Sequence, residues 1–222
     1  MNKTWYVYLL WVAAGGVLGF ATAAVFAGLL RLPRALFLVP YVVLVSAFLY
    51  GYVRWGGIDV QNLFLRHWPW GLAGAAIVGA FVVRNVLSQP AFPRPQGLEL
   101  VFDVVWFGVV YGTLDALLLS VMPALATWQA FSSLGWTGAW PGRLAAGAAA
   151  IAASLLVTAA YHLGYPEFRG PTVAAPVFGN GVMSLGYLLT ANPISAVASH
   201  VAMHSAAVLH GLETTAQLPP HY

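Results

Sequence analysis

The sequence predicts an all-helical, polytopic membrane protein of about seven transmembrane helices. Three observations predict it: 60% of the 222 residues are hydrophobic, only 7% are charged, and nine are tryptophans. The apolar runs recur at lengths near the ~20 residues that a helix needs to cross a hydrocarbon core about 30 Å thick.

The first element is an apolar run to Leu30. Behind Met1-Asn2-Lys3 it begins like a signal peptide, with Ala21-Thr22-Ala23 as a cleavage-like site. The run continues past that site to a membrane-spanning length, so it reads as a transmembrane helix over 5–30. Arg31-Leu32-Pro33-Arg34 marks a turn, and a second helix covers 35–54. Gly56 to Pro69 forms a longer interfacial connection before a helix over 70–88. Prolines and glycines between Ser88 and Gly97 break the chain again, and a fourth helix follows over 98–123. The fifth, 143–164, carries the glycine–alanine run Ala145 to Ala153, whose small side chains suit close helix packing. Helices over 173–190 and 193–212 complete the set. Asn192-Pro193 opens the last one, with Asn as N-cap and Pro at the first helical position. A single membrane domain over 1–222 is the simplest organisation, with N-terminal helices in 1–97, a core in 98–212 and a short tail in 213–222.

Trp55, Trp68, Trp70, Trp128, Trp136 and Trp140 fall near helix ends, as interfacial aromatic belts require. The basic residues divide as Lys3, Arg54, Arg66 and Arg143 against Arg31, Arg34, Arg84, Arg94 and Arg169, too even a split for the positive-inside rule to set a direction. The formal net charge of +3 comes from scattered residues, so nothing suggests a nucleic-acid surface. With no cysteine, the chain has no disulfide, no thiolate nucleophile and no Cys-ligated metal. Any metal must be held by histidine and carboxylate.

Ionisable residues inside apolar helices are costly, and so mark candidate sites. Asp115 is the only carboxylate deep in an apolar run. His200 and His204 lie four residues apart in the last helix and therefore share a face. His162 lies toward the end of the fifth helix. One carboxylate and three imidazoles suit either a general base that activates water or a divalent metal with a bound water. The structural alternative is hydrogen bonding to neighbouring helices: Asp115 to a Ser, Thr, Tyr or Arg, and His162 packed beside Tyr161 and Tyr165. His67, His210 and His221 fall at connections or ends and read as solvated.

The order carboxylate helix, histidine helix, and final helix with His200-x-x-x-His204 resembles the CAAX prenyl protease type II and bacteriocin-processing (CPBP, or Abi) family of intramembrane proteases. The likeness runs from roughly Phe107 to Gly211, closest from Pro176-Val177-Phe178-Gly179-Asn180-Gly181 to His204. The family's H-x-x-x-N/D/H motif falls on His200 and His204. Its F-x-x-x-H motif falls on His162, with Thr158 at the phenylalanine. Its first motif, a glutamate pair followed by x-x-x-R, departs: Leu114 and Asp115 stand at the pair and Leu119 at the arginine.

The resemblance implies that Asp115, assisted by His162, polarises water while His200 and His204 stabilise an oxyanion on a peptide carbonyl. His162 sits well past the centre of its predicted helix, so either that helix is shifted or His162 lies at the rim of a conical cavity. The missing glutamate pair leaves a second class open, a non-catalytic scaffold or accessory subunit. A third is a metal or haem protein using His200 or His204. The implied cofactor is none, or a divalent metal on Asp115, His162, His200 and His204. The implied partners are the lipid bilayer and a membrane peptide or protein, either as substrate or as partner subunit. The implied location is a prokaryotic inner membrane.

Overall fold

The computed structural model describes residues 4–211 and 217–219; Lys3, Glu213 and His221 lie outside them. Among the described residues there are eight helices: α1 Trp5–Leu29, α2 Arg34–Gly56, α3 Val60–Leu65, α4 Trp68–Leu87, α5 Gly97–Ser133, α6 Trp140–Leu163, α7 Ala174–Thr190 and α8 Ile194–His210. The protein is all-helical and polytopic. Six stretches are long and apolar enough to cross a membrane: α1, α2, α4, α5, α6, and α7 with the turn before it, Pro171–Thr190. The seventh expected span, α8, has 17 residues, about 25 Å at 1.5 Å per residue. It packs inside the bundle against α4 and α5, with Ser195, Ser199, His200 and His204 on its buried side.

α5 runs ten residues further than the sequence predicts. Pro123 has no N–H to offer the carbonyl of Leu119, four residues back, which would ordinarily end or kink the helix. Here the backbone winds as a wide π turn over Ala116–Val121. The Leu119 carbonyl instead accepts from Ser154 Oγ at 2.6 Å and Asn180 Nδ2 at 3.3 Å. Neighbouring helices replace the lost bond, as they do for prolines inside membranes. In α6, Ala146 and Ala150 of the glycine–alanine run are fully buried, and α6 packs against α1 and α5.

The chain direction places the α1–α2, α4–α5 and α6–α7 connections at one end of the bundle, with Arg31, Arg34, Arg94 and Arg169. The opposite end holds α3 and the α5–α6 and α7–α8 connections, and all six of the belt tryptophans.

Asn192 performs its expected role one position earlier than a strict N-cap. Its Oδ1 accepts from the Ile194 N–H at 2.9 Å, and its Nδ2 donates to the Phe64 and Arg66 carbonyls at 2.8 and 2.6 Å. One side chain thus starts α8 and fastens it to the α3–α4 connection. Replacing it with Ala strands three part-buried groups, at the low end of ~1–3 kcal/mol each. Asn192→Ala should lower stability by about 2–3 kcal/mol in detergent unfolding, and an unchanged midpoint would show that the fastening is not needed.

Candidate functional site

Asp115 lies at the middle of α5, and His200 and His204 lie on either side of the middle of α8. They are 4%, 1% and 2% exposed. A pair of glycines one turn apart brings them together. A Cβ on Gly108 would fall 2.5 Å from Ser205 Oγ; one on Gly112 would fall 3.0 Å from Val201 Cα and 3.1 Å from His204 Cδ2. This small-x-x-x-small approach lets the α5 and α8 backbones close together. Gly112 precedes Asp115 by three residues, so the closest approach and the carboxylate share a face. Wide turns over Val104–Val110 and Ala116–Val121 flank the segment, a feature that recurs at functional sites.

The three groups meet at one oxygen. Asp115 Oδ2 is 3.3 Å from His200 Nδ1 and 3.3 Å from His204 Nε2, while Tyr41 donates its hydroxyl to Oδ1 at 3.4 Å. The outer nitrogen of each imidazole is engaged elsewhere. His204 Nδ1 faces the Gln217 carbonyl, which only accepts, so Nδ1 carries a proton. His200 Nε2 is 3.2 Å from Asn180 Oδ1 and 3.3 Å from Ser120 Oγ. The Asn180 amide is oriented by its Nδ2, which donates to Thr158 Oγ1 at 2.6 Å and to Ser154 Oγ at 2.9 Å. Its oxygen also accepts from Ser120 Oγ at 2.6 Å. His200 Nε2 therefore faces an acceptor and carries a proton too.

In the neutral form of each imidazole, the inward nitrogen turns a lone pair toward a carboxylate oxygen. His200 Nδ1 is buried without a hydrogen-bond partner. In that form three electron-pair donors converge and define a place for a water, a proton or a cation.

His162 does not join this group, which comprises Asp115, His200 and His204 with ligand atoms within 4.8 Å of one another. α6 begins and ends close to its predicted limits, so the helix is not shifted and His162 stays at its Arg-rich end. Its Nδ1 is 2.9 Å from the Thr158 carbonyl of its own helix, and its ring packs edge-on against Tyr161 and Phe168. It lines the wall of the same cavity as the other three. His210, expected to be solvated, is half-buried and pairs through Nε2 with the Gln89 carbonyl at 2.7 Å.

That cavity has a volume of about 370 Å³. α4 and α7 touch toward the Trp-rich end, where a Cβ on Gly186 would fall 2.9 Å from Val78 Cγ2. Phe81 and Asn85 of α4 and Pro176 and Phe178 of α7 are among the residues that line the cavity. Phe81 is 50% and Phe178 66% exposed, so the cavity wall between α4 and α7 includes residues at the bundle surface. A larger cavity of about 490 Å³ at the Trp-rich end, lined by Asp59, Arg66, Trp128 and Gln129, contains none of the three converging residues.

Sequence reasoning missed Asn180, Tyr41, Ser120 and Gln217 as site residues. Asn180 and Ser184, four apart in an apolar helix, and Gly108-x-x-x-Gly112 were available signals. Compared with known protein families, curated proteins and solved structures, the chain shows no match.

Proposed function

We propose that this protein is an intramembrane hydrolase that admits a membrane-embedded or membrane-proximal peptide sideways between α4 and α7. Water activated by Asp115, His200 and His204 then cleaves it. The observation that carries this reading is the convergence of two imidazole nitrogens on one carboxylate oxygen beside a cavity whose wall includes the surface residues Phe81 and Phe178.

A water seated there donates its hydrogens to these acceptors, which raises its nucleophilicity. Its oxygen bonds to the scissile carbonyl carbon, the C–N bond breaks, and the proton taken up by an imidazole passes to the leaving nitrogen. The roles differ from those the CPBP resemblance implies. The inward nitrogens of His200 and His204 accept rather than donate, so they act as bases and not as oxyanion donors, and His162 borders the cavity. We place the protein in a prokaryotic inner membrane, on the strength of the same resemblance.

A second reading, a non-catalytic CPBP-like scaffold or accessory subunit, is favoured by the position of His162 against its own helix rather than against Asp115.

Comparison of membranes from cells carrying the wild-type protein and His200→Ala, by mass spectrometry of peptide termini, separates the two. The hydrolase reading expects new termini in or beside transmembrane segments only with the wild type. Identical termini with both proteins, alongside equal amounts of folded protein, would leave the scaffold.

A further inference from the structure

We propose that Asp115, His200 and His204 form a binding site for a divalent cation of the zinc class; this rests on the hydrolase reading, gives the ion the activation of water that the free imidazoles would otherwise perform, and is measurable apart from it. The donor set is two imidazoles and one carboxylate, three protein ligands that leave a fourth position for water, as in zinc hydrolases. For bonds of about 2.0–2.1 Å, tetrahedral geometry sets ligand atoms about 3.3–3.4 Å apart. The two nitrogen-to-oxygen edges here are both 3.3 Å. The third edge, between the nitrogens, lies within 4.8 Å, and the imidazoles would draw together to hold an ion.

The surroundings supply two further arguments. A metal-bound histidine donates its remote N–H to a carbonyl or similar acceptor, which fixes the ring and its tautomer. His204 does so to the Gln217 carbonyl and His200 to Asn180 Oδ1. Asn180 is itself held by Ser120, Ser154 and Thr158, so the support extends outward through three helices. Second, His200 is 99% buried, and its Nδ1, which has no hydrogen-bond partner, is aimed at the same point. A group that a water-accepting base alone would leave half satisfied is completed by a cation. The ion also supplies the electrophile that three electron-pair donors lack, polarising a carbonyl oxygen while lowering the proton affinity of its water.

The test uses the purified full-length protein, stripped with a chelator and titrated with zinc chloride alone. We expect one equivalent bound, with loss of at least 100-fold in affinity in His204→Ala and in Asp115→Asn. Asn180→Ala, which removes only the support for His200, should weaken binding by about 10–100-fold. His162→Ala should bind like the wild type. Cobalt in place of zinc should give the visible absorption bands of a tetrahedral site in the wild type, and these should vanish in His204→Ala. Circular dichroism and monodispersity establish that each variant is folded. Zinc retained equally by His204→Ala and Asp115→Asn overturns the inference, as does a wild-type protein that takes up substoichiometric zinc at saturation. One bound zinc without any cleavage would remove the hydrolase reading and keep the metal site; cleavage undiminished by the chelator would do the reverse.

Discussion

Asp115→Asn should lower turnover by at least ~10³-fold, the scale seen when a single preorganised polar group is removed from an acyl-transfer site, and yet leave the metal-free protein at least as stable as the wild type. The second half follows from the tautomers. Asn at this position keeps an oxygen to accept from Tyr41, where Asp115 Oδ1 now does. Its NH2 replaces Oδ2 and offers two N–H donors to the two lone pairs, on His200 Nδ1 and His204 Nε2, that now face an oxygen at 3.3 Å. A mutual confrontation of acceptors becomes two hydrogen bonds, and a buried charge disappears.

Replacement of uncompensated buried charge by satisfied groups is commonly neutral or stabilising by ~1–4 kcal/mol. An increase of 1–2 kcal/mol would appear as a rise of about 2–8 °C in midpoint for a chain of this length. Unfolding is measured after chelation, so that a bound ion does not enter the comparison. Asp115→Ala supplies the contrast, since it leaves the Tyr41 hydroxyl and both lone pairs unpaired and opens a void, at a cost of about 2–4 kcal/mol. A destabilised Asp115→Asn would mean that the imidazoles donate to the carboxylate, and both the base assignment and the metal site would fail with that tautomer.

The spans were legible because bilayer thickness imposes a length on apolar runs, and that constraint is local. Where a local rule met a tertiary exception, the reading went astray. Pro123 argues for a helix end, and only Ser154 and Asn180, from two other helices, show why α5 continues. Asp115, His200 and His204 were legible as candidates because charge inside an apolar helix is rare enough to mark them singly. Their convergence was not, because it depends on which face of α5 meets α8, and Gly108 and Gly112 decide that. His162 was drawn into the group as a third imidazole in an apolar helix and by the F-x-x-x-H resemblance; its place near the end of α6 sets it at the cavity wall. Asn180 carries no charge and so drew no notice, although it orients His200. Gln217 acts through its backbone carbonyl, which side-chain identity does not reveal.

The glycine that sets the α5–α8 approach should be as sensitive as the carboxylate. Gly112→Val places a branched side chain where even a Cβ would sit 3.0 Å from a backbone atom, Val201 Cα, and 3.2 Å from the His200 carbonyl oxygen. No rotamer relieves contact with backbone, so the helices must separate, and His200 and His204 move with α8 while Asp115 stays with α5. A displacement of about 1 Å costs on the order of 10²-fold in rate, and the same separation lengthens both 3.3 Å edges, so zinc affinity and turnover should fall together. Gly112→Ala should show a smaller loss in the same two quantities. Gly147→Ala is the control. Nothing lies within 4 Å of its added methyl, and the exchange in a helix interior should stabilise by about 0.5–1 kcal/mol. Retained zinc binding and turnover in a folded Gly112→Val protein would mean that the close helix approach does not assemble the site; loss of both, with helical content intact, would place the origin of the site in the packing of two helices rather than in any one of its polar residues.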